Sequence, residues 1–289
     1  MPRRAACRPG FTFVHLVVCA FIAAILFLVL GVLANRLREN ANRQYCASNL
    51  SQLYNALQQY AKIEHGLFPR ARFRIPALPE DRTTPCAYTH FDAVGPFLDT
   101  GPNDCDVTAA MYLLVLELNV SPKVFTCPSA PEKAWDFSGQ RAANFSNFPG
   151  RDCLGYSMQN PYPTIEAIVD GFRWSAGVDP GFPLMADINP GTPAVTTLRL
   201  GSSKTEMMLG NSPNHLRKGQ NVLFGDGHVA FEDSPFVGIG QDSIYGFGNA
   251  ADEHDQTRPD AVGIWGGARS RNDSILLPTA DDRTATSLR

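Results

Sequence analysis

GFTFVHLVVCAFIAAILFLVLGVLA, running from Gly10 to Ala34, decides how the rest of this chain is read. From Phe11 to Ala34 there is no Asp, Glu, Lys or Arg, and His15 is the one strongly polar side chain. A helix needs roughly 20 apolar residues to cross a bilayer, and this run is long enough. Arg3, Arg4 and Arg8 precede it. Such arginines stay on the cytoplasmic side, so the remainder is expected to face outward. The helical pattern continues past the apolar run: residues 35–64 hold no Pro or Gly. Leu50, Leu53, Tyr54, Leu57, Tyr60 and Ala61 recur at steps of three and four, with Arg43, Gln52, Asn55, Gln58 and Gln59 on the other side. His65-Gly66 and then Pro69 supply a stop. The expectation is one helix from Phe11 to His65, on the order of 80 Å long. Its first half is apolar all round. Its second half is too short and irregular for a coiled coil and should pack on the outer domain.

About 255 residues remain after the span, enough for one sizeable core or two small ones. The net charge of -3 excludes a basic nucleic-acid binder and an acidic tail protein. Gly (24) and Pro (22) are spread through this region, which favours short strands and many loops over a helical bundle. Cys7 and Cys19 lie in the leader and the apolar run, leaving Cys46, Cys86, Cys105, Cys127 and Cys153. An outward compartment permits disulfides, and an odd count leaves at least one thiol over. At least one bridge is expected among Cys86, Cys105, Cys127 and Cys153, with the pairing open. The spacings contain no CxxC and speak against a structural zinc site.

Within the outer region, Asp104 or Asp106 can cap a helix through Asn119 with Met111, Leu114, Val115 and Leu118 as its buried stripe. Val124-Phe125-Thr126-Cys127-Pro128 reads as a short strand and turn, and Phe182–Ala186 and Glu206–Leu209 as strands. The strongest local signal is the stretch from Gln220 to Glu232, where Asp226-Gly227 between alternating runs predicts a two-residue hairpin loop. That register pairs Phe224 with Val229 and Val222 with Phe231 on the core face, and sends His228 to the other. The polar tail from Ala250 contains Ile264-Trp265 and Ile275-Leu276-Leu277, which can dock as strands, while the last dozen residues read as disordered.

Three readings compete for the N-terminus. A cleaved secretory signal has a shorter apolar core and a small-residue cleavage site beyond it. A plain signal anchor leaves the Gly10-Phe11-Thr12 start unexplained. The segment resembles a type IV prepilin signal. That resemblance implies a prepilin peptidase cutting between Gly10 and Phe11, methylation of Phe11, and an apolar helix kept in the mature protein. The family usually carries Glu at the fifth mature position, where its carboxylate is thought to meet a neighbouring subunit's amine in a filament. His15 stands there in this chain, and imidazole supplies no negative charge.

The resemblance extends further, through Cys46-x-x-Asn49-Leu50, Val124 to Pro128, Met185-Ala186-Asp187-Ile188-Asn189-Pro190, and Asn211-Ser212-Pro213-Asn214-His215 running into Asn221 to His228. These look like a bacterial group of type II secretion protein G-like sequences with an N-terminal cleavage and methylation signal and a C-terminal His-x9-Asp-Gly motif. Here ten residues separate His215 from Asp226. The resemblance implies an α+β fold, with a long N-terminal pilin-like helix packed on a loop-rich antiparallel β-sheet domain. It also implies a single-pass protein of the inner (cytoplasmic) membrane with its N-terminus inside, and pilin-like subunits or secretion machinery as partners. The expected organisation is a leader at 1–10, a transmembrane part at 11–34, an amphipathic continuation at 35–65, an extracytoplasmic domain at 66–249 and a polar tail at 250–289.

Asp187, His215, Asp226 and His228 are the polar constellation that could hold a divalent cation, which would activate water if the module were hydrolytic. Asp226 is equally explained by its turn, and His215 by fastening a loop. No HExxH or Gly-x-Ser-x-Gly pattern is present. Asp252, Glu253 and Asp255 match no defined calcium loop. The three tryptophans suit core packing as well as a lectin-like site. The expectation is therefore a structural protein without an enzyme's catalytic residues and with no obligatory cofactor. A membrane-anchored metal-binding or hydrolytic module is the alternative.

Overall fold

The computed structural model describes residues 13–71, 105–191, 194–248, 261–263 and 266–280. The chain divides into two units, Met1–Ala41 and Asn42–Arg289. Helix α1, Phe13–Ile63, runs through the boundary. In the first unit, residues 13–38 are exposed without exception, so an uncharged apolar surface surrounds the helix through Ala34. Water does not tolerate such a surface over a whole helix circumference, and a lipid bilayer does.

In the second unit, α1 becomes a core element. Cys46, Asn49, Leu50, Leu53, Ala56, Leu57 and Ala61 are buried, at the three- and four-residue steps that keep one helical face inward. Tyr54 and Tyr60 pack beside them, half-buried. The helix ends on left-handed His65 (φ 52°) and Gly66 (φ 92°), whose amide reaches the Ala61 carbonyl at 2.7 Å.

A five-stranded sheet supplies the opposing layer. Its strands are β1 (Tyr156–Gln159), β2 (Pro183–Asp187), β3 (Gln220–Phe224), β4 (Val229–Glu232) and β7 (Leu276–Leu277), in the order β4-β3-β2-β1-β7. Every neighbouring pair is antiparallel. The partners Leu277–Met158, Met158–Met185, Met185–Leu223 and Leu223–Val229 form one row across all five strands. That row belongs to the same hydrophobic cluster as Leu50, Leu53 and Leu57 of α1. The other face buries Ala186, Val222, Phe224 and Leu276 with Val195, Ile244 and Tyr245. A short ribbon pairs β5 (Phe247–Gly248) with β6 (Ala261–Gly263). The α+β architecture with an antiparallel sheet against the long helix is thus as the sequence led one to expect.

Helix α2, Val107–Leu118, starts on Asp106, whose carboxylate accepts from the Ala109 amide at 2.9 Å, and ends on left-handed Asn119. Met111, Leu114 and Val115 are buried and Leu118 half-buried, and Thr108, Ala109, Ala110 and Tyr112 are buried as well.

Three sequence expectations need correction. Val124–Pro128 is not a strand: Pro122–Phe125 forms a 3-10 turn capped by Ser121. Beyond α3 (Ile165–Asp170) and α4 (Ala194–Thr197), Glu206–Leu209 lies in helix α5, Lys204–Gly210. Ser203 and Glu206 close a reciprocal capping box there, and that local stabilisation outweighs the strand-like composition. The β3–β4 hairpin is shifted by one residue, with Leu223 opposite Val229 and Val222 opposite Ala230. The Gly227 amide meets the Phe224 carbonyl at 2.9 Å and Gly227 sits at φ 89°, which makes a three-residue loop with a left-handed last residue. A Cβ on Gly227 would lie 2.4 Å from the Tyr54 ring of α1, so this tip fits only a glycine. Leu276–Leu277 docks as a strand; Ile264, Trp265 and the last nine residues lie outside the described residues.

Candidate functional site

The row next to the apolar one on the α1-facing side of the sheet is polar. Tyr156 pairs with Asp187, and Asn221 pairs with Phe231. The Asn221 amide donates to Asp187 Oδ2 at 2.6 Å, and its side chain to the same oxygen at 3.1 Å. Asp187 is buried, with its backbone carbonyl accepting from the Tyr245 hydroxyl at 2.8 Å. A bare carboxylate in such a place costs several kcal/mol unless its oxygens are satisfied.

His215 approaches Asp187 from the loop before β3, with Nε2 3.4 Å from Oδ2. Its backbone is unusual: His215, Leu216 and Arg217 all have positive φ, at 55°, 59° and 57°. Left-handed conformations cost roughly 1–2 kcal/mol per non-glycine residue, so this turn stores roughly 3–6 kcal/mol. The turn carries the His215 side chain inward to complete burial while Leu216 stays exposed. Phe231 packs edge-on to the imidazole (centroids 6.0 Å apart), and the Arg43 guanidinium lies 3.9 Å over that phenyl ring.

Two cysteines meet this pair. Cys46 comes from the buried face of α1 and Cys127 from the turn after the 3-10 helix; their sulfurs are 2.7 Å apart. Cys127 Sγ is 3.6 Å from His215 Nε2. One atom from each of Cys46, Cys127, Asp187 and His215 falls within 4.8 Å of all the others, and all four residues are buried. Asn49, one helical turn beyond Cys46, donates to the Thr126 carbonyl at 3.0 Å and so fixes the Cys127 turn against α1. Gly155 permits the approach from the sheet side, because a Cβ there would lie 2.7 Å from the Cys127 nitrogen.

The electrostatics favour charge separation inside the cluster. The sulfur–sulfur hydrogen bond with Cys127, assisted by His215, pulls the Cys46 thiol down to about 7 against the effect of burial. Cys127 is pushed up by that same bond and by burial. Burial lowers the basicity of His215, but the neighbouring Asp187 and Cys46 outweigh it and raise the imidazole to about 10. Burial also holds the Tyr156 phenol well above its ordinary range.

Of the four residues singled out from sequence as metal candidates, the structure brings Asp187 and His215 together. Asp226 and His228 stand at the exposed hairpin tip, paired with each other, and His228 stacks on Phe224 with ring centroids 4.5 Å apart. Among the cysteines, Cys105 is disulfide-bonded; Cys127 and Cys153 are free thiols, and Cys86 lies outside the described residues. Gly10, Phe11, Asp252, Glu253 and Asp255 also lie outside them. His15 is exposed on α1. Cys46 was not legible as a site residue, because 81 positions separate it from Cys127 and no local spacing links them. The available signal was a cysteine on the same helical face as Leu50 and Leu53.

Comparison of the chain with models of known families, with curated proteins and with solved structures finds no match.

Proposed function

We propose that this chain is a pseudopilin-like, membrane-anchored structural protein of a type II secretion or type IV pilus-like system, acting through protein–protein contacts. The observation that carries the reading is that one helix, α1, is fully exposed and apolar through Ala34 and buried as a core element from Cys46 onward. A cleaved signal would be removed without loss to the fold, whereas cutting within α1 near the core would expose Leu50, Leu53 and Leu57. The continuity of the apolar and core parts in one helix supports retention of the apolar part after processing. The basic leader and the Gly10-Phe11-Thr12 start support cleavage by a prepilin peptidase, with the N-terminus inside and the second unit outside the cytoplasm. His15 in place of a carboxylate favours a role that does not depend on a charge pair at the fifth mature residue.

The test is mass spectrometry of the mature N-terminus. A chain beginning at N-methyl-Phe11 supports the reading. A chain that keeps Met1, or one that begins after Ala34, refutes it.

A further inference from the structure

We propose that Cys46, Cys127, Asp187 and His215 form a closed, four-ligand zinc site that clamps the core part of α1 to the sheet. The donor set is two sulfurs, an imidazole nitrogen and a carboxylate oxygen, which suits a borderline-soft tetrahedral ion. For bonds of about 2.3 Å to sulfur and about 2.0–2.1 Å to nitrogen and oxygen, tetrahedral geometry sets the sulfur–nitrogen edge at roughly 3.5 Å and the nitrogen–oxygen edge at roughly 3.3 Å. The corresponding separations are 3.6 Å between Cys127 and His215 and 3.4 Å between His215 and Asp187. The latter is long for a hydrogen bond between a charged pair, which normally closes to about 2.7–2.9 Å. Both are right for ligands arranged around an ion.

The sulfur–sulfur edge differs. Two zinc-bound thiolates stand roughly 3.7 Å apart, against the 2.7 Å between Cys46 and Cys127, so loading requires the sulfurs to part by about 1 Å. A disulfide is the competing arrangement for these two sulfurs. It makes no use of His215, which a left-handed turn carries inward, or of the Asp187 carboxylate beside it, whose Oδ2 Asn221 holds. Strain of that kind persists where a function fixes it. Binding would leave two thiolates, a carboxylate and a neutral imidazole around Zn²⁺ at a net charge of -1, with the displaced protons passing to solvent. No oxidation is involved.

The four ligands come from α1, the turn at 126–130, β2 and the loop before β3. An ion there cross-links four segments distant in sequence. All four are buried, and four protein ligands would fill the coordination of a tetrahedral ion, which makes the proposed site structural rather than hydrolytic. The proposal is independent of the pilin-like reading, since a zinc clamp would serve any head built on this helix.

The experiment uses the full-length chain, purified in detergent without chelating resins or chelators. Elemental analysis should find close to one zinc per chain. Zinc K-edge X-ray absorption on the same sample should show two sulfur and two nitrogen or oxygen neighbours. Asp226→Asn and His228→Ala should keep the full zinc content, and Cys127→Ser and His215→Ala should lose at least tenfold. The proposal is overturned by zinc-free protein whose non-reduced peptide map joins Cys46 to Cys127. It is equally overturned by bound zinc with no sulfur neighbours, a result that needs no variant to fold.

Discussion

Leu53→Ala measures how far the second half of α1 is a core element. Leu53 is fully buried in the cluster that also holds Met158, Met185 and Leu223. The substitution removes three carbons, worth about 2.4 kcal/mol at about 0.8 kcal/mol each. Incomplete collapse of the cavity brings the cost to about 3–4 kcal/mol, within the range for buried leucines. For a unit of this size each kcal/mol lowers Tm by about 2–4 °C, so a fall of roughly 6–16 °C is expected. The assay is thermal unfolding of the detergent-solubilised full chain, followed by tryptophan fluorescence at a fixed heating rate. Leu37→Ala on the same helix is the control. Leu37 is 68% exposed, and its loss should change stability by less than about 0.5 kcal/mol. A Leu53→Ala shift no larger than that of Leu37→Ala would mean that α1 does not build the core, and the reasoning would fail.

Other substitutions probe single structural causes in the same melts. Asp106→Ala removes the α2 cap and the carboxylate that the buried Asn147 side chain contacts at 3.0 Å; about 2 kcal/mol should be lost. Gly155→Ala pushes a methyl group into the Cys127 backbone and should cost about 1–3 kcal/mol, while Gly150→Ala, with open space around it, should cost far less. Ser203→Ala opens the capping box of α5 and should cost about 1 kcal/mol; Ser203→Asp should restore most of it. Gly227→Val, at a left-handed residue against the Tyr54 ring, should destabilise by more than Asp226→Ala at the same tip.

What was legible in the sequence followed from periodicity and local chemistry. The apolar run and the three-four spacing through Ala61 located α1 and its buried face. Asp104 or Asp106 at one end and Asn119 at the other marked α2 by chemistry that acts within a few residues, and the cap is Asp106. Register was harder. Asp226-Gly227 fits a two-residue loop by composition, yet the Phe224 carbonyl and left-handed Gly227 close a three-residue one, and a shift of one residue exchanges the faces of β4. Ser203 and Glu206 formed a readable capping box that the apolar Met207-Met208-Leu209 obscured. The cysteine–aspartate–histidine cluster could not be read from spacing at all. Its members lie on four segments, and only the tertiary fold brings Cys46 to Cys127. Absence of CxxC argues against zinc for ligands that are neighbours in sequence, whereas this cluster is assembled by a sheet and a helix.

The central claim is that one retained helix both anchors the protein and forms the core of its outward unit. Fractionation of cells expressing the native chain, followed by alkaline washing and external protease on spheroplasts, tests it most directly. The account predicts that the protein stays in the washed membrane pellet and that protease removes the region beyond residue 42, leaving a short membrane-embedded fragment that contains Phe13–Ala34. Full-length protein in the soluble fraction, or a second unit shielded from external protease, would contradict it.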